Sequence, residues 1–412
     1  MKRVVVTGMG VVSATGTDVK SFWNNIAEGK SSARPITRFN PEKFKTHFAA
    51  ELSGFDMSQY LDRNEIKRSD LYTQYALVAA GQAIKDSGFE LEKMSPFDIG
   101  VIFGSAQGGM ETFEQQYREF AASGFEPHFN PFFIPKTLVN MASGVISIKY
   151  GFMGVNFSTA SACASANTAI MDALNYIRFG KAKIILTGGS DAPISEASIG
   201  GYNSLKALST RNHEPGKASR PFDVERDGFM MGEGAGVLVF EEYEHAKQRG
   251  AHIYAEVAGA AMTSDAYHIT ATHPEGTGAI QGMKMALQDA ELNASDISYI
   301  NAHATSTPVG DISEAKAIKA VFNGNNDLHI SSTKSVTGHL LGAAGAAEAI
   351  VSIKAITEGV IPATINTSVI DPQIPDGLNI IIKESVNHNV NAALSNTFGF
   401  GGHNGIVIFK KI

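Results

Sequence analysis

A chain of 412 residues exceeds the span over which one hydrophobic core usually grows, about 250 to 300 residues, and so predicts two domains or two fused halves. Hydrophobic residues make up 43% and charged residues 18%, and the 41 glycines follow no short period, which excludes disordered and collagen-like classes. A net charge of -7 gives no reason to expect nucleic-acid binding, and no apolar run approaches the length needed to cross a bilayer, so a cytoplasmic protein without membrane partners is expected.

The N-terminal Met1-Lys2-Arg3 followed by Val4-Val5-Val6 mimics a signal peptide, but Thr7, Gly8 and Gly10 interrupt the apolar run and it reads as a first strand. Gly8-Met9-Gly10 is not a dinucleotide loop, because Ser13 stands where the third glycine of GxGxxG belongs, so no nicotinamide cofactor is expected. Further strands are predicted at Ile99 to Gly104, Val155 to Thr159, Ile184 to Gly188 and Ala235 to Phe240. A second set follows at Glu256 to Gly259, Ile297 to Ala302, Leu328 to Ser332, Ala392 to Asn396 and Gly405 to Phe409. Helices are predicted at Leu71 to Ser87, Ala164 to Phe179, Ile312 to Phe322 and Leu340 to Glu358, and this alternation defines an α/β protein.

Cys163 is the only cysteine, which rules out an intrachain disulfide and any CxxC redox or zinc motif; no metal site is expected. A free cysteine is by default a small core hydrophobe. This one stands where a strand gives way to a small-residue helix, near the positive end of the helix dipole, and a lowered thiol pKa is expected there. His303 follows the strand ending at Ala302, and His339 opens another small-residue helix, so the three suggest a Cys-His-His site for acyl chemistry. The segment Phe157-Ser158-Thr159-Ala160-Ser161 before Cys163 echoes Ile330-Ser331-Ser332-Thr333-Lys334-Ser335 before His339, a weak sign of two related βα halves whose strand ends would meet at a site.

Four segments carry a family resemblance: Ser161-Ala162-Cys163-Ala164-Ser165, Asn301 to Pro308, Ser332 to His339, and Asn396-Thr397-Phe398-Gly399-Phe400-Gly401-Gly402-His403-Asn404. In this order they resemble the signatures of β-ketoacyl-acyl-carrier-protein synthases of the type II kind, over nearly the whole chain. The resemblance implies a thiolase fold, a five-layered α/β/α/β/α arrangement of two related halves (residues 1–250 with the nucleophile, 251–412 with the histidines), normally a homodimer. It implies a decarboxylative Claisen condensation through an acyl-Cys163 intermediate, with substrates carried on the phosphopantetheine of acyl carrier protein and no other cofactor. His303 and His339 would donate to the malonyl thioester carbonyl, and the backbone N–H groups of Cys163 and Phe400 would form the oxyanion hole. Lys334, paired with Glu348, would act electrostatically, and Phe400 within Gly399, Gly401 and Gly402 would gate the acyl chain. Thr305 and Thr307 would bind the phosphopantetheine arm, and Phe133 the substrate. Arg63, Lys67, Arg68 and Lys206 are candidate contacts for an acidic carrier protein.

Three departures from the family pattern concern specificity. Gln107 replaces an apolar residue and Tyr202 a phenylalanine in the acyl pocket, and a buried amide or hydroxyl facing an alkyl chain costs about 1 to 3 kcal/mol unless paired. His403 replaces threonine after Gly402. A ketosynthase of an aryl polyene or type II polyketide pathway is therefore the alternative within the class. A noncatalytic chain-length partner is disfavoured by the presence of Cys163, His303 and His339.

Overall fold

Val4–Ser13 (β1) is buried at every position, as expected of a strand with helices on both faces. The computed structural model describes all residues, Met1–Ile412. Beside β1 in the first half lie Ile99–Gly104 (β2), Asn156–Thr159 (β3), Ile184–Asp191 (β4) and Gly234–Glu242 (β5). The second half contributes Ala255–Ser264 (β6), Tyr299–Asn301 (β7), His329–Ser331 (β8), Ala392–Gly399 (β9) and His403–Lys410 (β10).

The first half is ordered β3-β2-β4-β5-β1 and the second β8-β7-β9-β10-β6, which is one order used twice. Strand directions repeat as well. In each half the second strand pairs in parallel with the third and fourth, while the fifth is antiparallel to the fourth and the first. The two five-stranded units join edge to edge where β1 meets β6 through Val5↔Glu256 and Val6↔Ala255. The weak echo in the sequence thus corresponds to a repeated topology.

Helices complete the layers. Leu71–Ser87 (α1), capped by Asp70 and ended by Gly88 at φ +62°, covers β1, β4 and β5 from outside. Between the sheets lie Ser165–Arg178 (α3) and Ala344–Glu358 (α7). Ile170, Leu174, Ile350 and Val351 fill that central layer, and small residues bring the two helices together; a Cβ on Gly345 would meet Asn167 Oδ1 at 2.3 Å. Thr277–Asp289 (α5) covers β6 and β10 on the far side, beside Pro308–Phe322 (α6). The result is the five-layered α/β/α/β/α order.

Leu71 to Ser87 and Ile99 to Gly104 have the predicted bounds. Ile297 to Ala302 contracts to three residues, and α7 begins at Ala344, so His339 lies in the turn before the helix and does not open it. Met110–Ala122 (α2) and Glu196–Ser204 (α4) were not predicted. The first does space Met110, Phe113, Tyr117 and Phe120 at helical intervals but turns that stripe outward, whereas the second, rich in glycine and serine, carries no clean apolar stripe.

Candidate active site

The repeated topology sets Cys163 and His339 in equivalent places, each in the turn between the third strand of its half and the central helix. Both turns are strained: Ala162, just before the cysteine, has φ +50°, and Leu341, two residues after the histidine, has the same value. His339 Nε2 lies 3.0 Å from Cys163 Sγ. The His303 ring packs edge to face on His339 at 5.3 Å between centroids, and Phe229 packs on the other side at 5.3 Å. All three site side chains are more than nine-tenths buried.

Electrostatics there differ from the sequence expectation. The Cys163 thiol is pushed up to about 12, because burial outweighs the Lys334 charge and the backbone N–H groups of Phe400 and Cys163, all of which favour the thiolate. The cysteine does sit just before α3, but the dipole contribution expected from that position is overridden by desolvation. Burial also holds both imidazoles well below their usual range, reinforced by Lys334, so His303 and His339 are neutral. Neither Nδ1 has a partner in the chain. A proton on Nε2 therefore leaves no buried N–H unpaired, and it aims the His339 donor at sulfur.

Lys334 is 1% exposed and forms an ion pair with Glu348 on α7, whose carboxyl burial pushes up against the opposing pull of the lysine. Phe400 follows β9 in a turn closed by Gly401 at φ +88° and Gly402 at φ +79°. Gly399 is required by proximity: a Cβ there would meet Ser161 O at 2.5 Å, and this close approach brings the Phe400 N–H to the thiol.

A cavity of about 290 Å³ opens above the sulfur. Cys163, His303, His339, Tyr202, Phe400, Gly399 and Gly402 line it, as do Thr305, Thr307 and Lys206. The two threonine hydroxyls lie 3.1 Å apart. Gln107 was expected in the acyl pocket but stands behind Tyr202, outside the cavity lining, and its amide is paired, bonding both Ser198 and Tyr202. Phe133 lies outside this cavity, stacked on Phe113 and Phe129. Arg63, Lys67 and Arg68 are exposed on the helix Arg63–Arg68, also away from its lining. His403 starts β10 opposite Gly399, at the base of the glycine turn.

Two carboxylates escaped the sequence reading. Glu314, on α6, accepts the backbone N–H groups of His303 and Ala304 at 2.9 and 2.7 Å and the Asn396 amide at 2.9 Å, fixing the loop that carries His303. Asp191, at the end of β4, holds the turns around Gln107 and Gly342. An acid within the predicted helix Ile312 to Phe322 was the available signal for Glu314.

A buried thiol against one of two neutral imidazoles, at the floor of a cavity, suits nucleophilic acyl transfer through the sulfur. Residues 1–246 match the family described as "Beta-ketoacyl synthase, N-terminal domain", and residues 254–368 match "Beta-ketoacyl synthase, C-terminal domain". The chain belongs to the β-ketoacyl synthase family. It is 45% identical over 411 residues to the 3-oxoacyl-[acyl-carrier-protein] synthase 2 of Staphylococcus aureus (strain COL), covering 100% of this chain and 98% of that one. A β-ketoacyl synthase from Burkholderia phymatum superposes with a TM-score of 0.93 at 36% identity, over all of both chains. The ketosynthase of AntDE:AntF, a type II polyketide acyl-carrier protein in complex with its ketosynthase, gives 0.90 at 34%, over 100% of this chain and 99% of that one.

Proposed function

We propose that the chain elongates fatty acyl groups by condensing acyl carrier protein thioesters with malonyl carrier protein, using Cys163 as the acyl acceptor. The contact of His339 Nε2 with Cys163 Sγ at the floor of the cavity carries this reading. Sulfur adds to the acyl carbonyl, the new C–S bond forms, the carrier C–S bond breaks, and the thiol proton goes to the departing carrier sulfur. The oxyanion is met by the N–H groups of Cys163 and Phe400, which already favour negative charge at the thiol. Malonyl thioester then occupies the place of the departed carrier arm. Its C–C bond breaks, carbon dioxide leaves, and the electron pair delocalises onto the carbonyl oxygen, where the Nε2–H groups of His303 and His339 donate. The enolate carbon attacks the acyl-Cys163 carbonyl, and the thiolate released takes up a proton.

Thr305 and Thr307 suit the polar phosphopantetheine arm, and Lys206 at the cavity suits the acidic carrier. The glycine turn with Phe400 would swing to admit the acyl chain. The halves 1–250 and 251–412 read as a duplicated unit. A homodimer is supported by the exposed apolar face formed by Phe113, Tyr117, Phe125, Phe129 and Ile134. Phe133 lies on that face, so we assign any contact it makes with an acyl chain to the partner subunit's cavity. No helix is long and apolar enough to cross a membrane, in keeping with a cytoplasmic site of action.

Mass spectrometry of the protein after exposure to acyl carrier proteins tests the reading. An acyl adduct on Cys163, absent from Cys163→Ala, together with β-ketoacyl product on adding malonyl carrier protein, is the expected result. Full condensation by Cys163→Ala would sink it.

A further inference from the structure

Two of the residues that depart from the family pattern meet in the structure. Ser198 and Tyr202 lie one turn apart on α4; Ser198 Oγ donates to Gln107 Oε1 at 3.0 Å, and Gln107 Nε2 donates to Tyr202 Oη at 3.4 Å. The Gln107 backbone is itself fixed by an N–H bond to Asp191 Oδ1 at 3.0 Å. Tyr202 lines the cavity, 5.6 Å from the Phe229 ring, which packs on His339. It is thus one aromatic ring removed from the histidine that touches the nucleophile. It packs against the apolar cluster that holds Ile199, Leu208, Phe229 and Leu341 together with Cys163.

The direction of these bonds leaves something over. The tyrosine oxygen accepts from Gln107, and its own O–H finds no acceptor in the chain. Burial keeps the phenol protonated at neutral pH. Turning the Gln107 amide over would reverse the bond and leave the tyrosine oxygen open to a donor instead. In both arrangements one hydrogen-bonding position of Tyr202 remains for whatever enters beside Cys163. A saturated chain covers that position without pairing it, whereas an oxygen at the same depth pairs it.

We propose that Tyr202, aimed by Gln107 and Ser198, is a specificity-determining residue that favours acyl primers bearing a hydroxyl or ketone oxygen along the chain over saturated primers of equal length. This rests on the reading of Cys163 as the acyl acceptor. A hydroxyl pairs with Tyr202 in either amide orientation, and a ketone pairs when the tyrosine donates.

The test is a competition read by mass on Cys163. Carrier-protein primers of equal carbon count, one saturated and the others bearing a hydroxyl or ketone at successive odd carbons, are offered together to wild type, Tyr202→Phe and Gln107→Ile. For at least one oxygenated primer, its loading relative to the saturated one is expected to fall roughly fivefold to tenfold in Tyr202→Phe, the worth of one hydrogen bond. Gln107→Ile, which releases the tyrosine, shifts the ratio in the same direction. Ratios that are the same in wild type and both variants for every primer would overturn the proposal. Absence of acyl-Cys163 from every primer, the saturated one included, would overturn instead the acyl-transfer reading beneath it.

Discussion

Asp191 Oδ2 accepts the Gly342 N–H at 2.7 Å, so a carboxylate from the first half fixes the turn that follows His339 in the second. The same carboxylate accepts Ala106 N–H and Gln107 N–H, both at 3.0 Å, and the Ser105 hydroxyl at 2.9 Å. One side chain therefore sets the distance between the nucleophile's half and its histidine. In Asp191→Ala three buried N–H groups lose their acceptor. The expected cost is about 2 to 4 kcal/mol in denaturant unfolding, with slower loading of Cys163. Unfolding within about 0.5 kcal/mol of wild type would show that water replaces the carboxylate fully.

The two histidines should separate by step. His339 alone touches sulfur, so His339→Ala is expected to slow both acyl loading and malonyl decarboxylation, while His303→Ala acts chiefly on decarboxylation. Loss of an oxyanion donor predicts a decarboxylation deficit on the order of 10²-fold in each. Carbon dioxide release and single-turnover loading, measured separately, check the split. Equal loading defects in the two variants would contradict it.

Much of this was legible in the sequence because the chemistry sits at strand ends. Cys163, His303 and His339 fall just past strand ends where small residues begin, and local pattern reports that; Lys334 and Glu348, the latter inside α7, were legible only through the family resemblance. The thiol's ionisation was misread because the dipole at α3 is a local feature, whereas desolvation depends on Phe229, Leu341 and the second half closing over the sulfur. Asp191 was missed for a related reason. Its role requires Gly342, a contact across 151 positions that no local pattern records. Likewise, Gln107 is paired by residues on α4, a helix whose apolar stripe is too weak to predict.

Burial of the imidazoles gives stability a pH dependence of known sign. Unfolded, each takes up a proton near 6.5; folded, burial and Lys334 lower that value well below. Between those limits the unfolded chain holds more protons, so this stability is fully present above 6.5 and is lost as pH falls. Asp191, pushed up to about 6, and Glu314, to about 7, act oppositely, since the folded state protonates them first. Comparing wild type with His339→Asn cancels the carboxyls. Between about pH 7 and about pH 5.5, wild type should lose roughly 1 kcal/mol more than the variant. Parallel stability curves would mean that His339 protonates freely in the folded protein.

The exposed bases Arg63, Lys67 and Arg68 give a simple electrostatic test. Replacing them together by Arg63→Glu, Lys67→Glu and Arg68→Glu should slow association with an acidic carrier protein, and should flatten the salt dependence that wild type shows. Unchanged carrier affinity across salt would make the helix a solvated face, leaving Lys206 at the cavity as the contact.

The Lys334–Glu348 pair separates stability from catalysis. Both side chains are almost fully enclosed, and Glu348 Oε2 has no partner beyond the lysine's contact with Oε1. Removing one member leaves a lone buried ionisable group, so Lys334→Met should destabilise by about 3 to 5 kcal/mol, whereas Lys334→Met with Glu348→Leu should recover most of that loss. Catalysis should not recover with it. The Lys334 ammonium is the largest influence holding the Cys163 thiol down against burial, and it helps keep both imidazoles neutral. The double variant is therefore expected to fold with near-normal stability, to react more slowly with iodoacetamide at Cys163, and to show its reactivity rising only at higher pH than in wild type. Thermal unfolding and the pH dependence of alkylation measure the two effects independently. A stable double variant with an unshifted alkylation profile would mean that the lysine serves the fold alone.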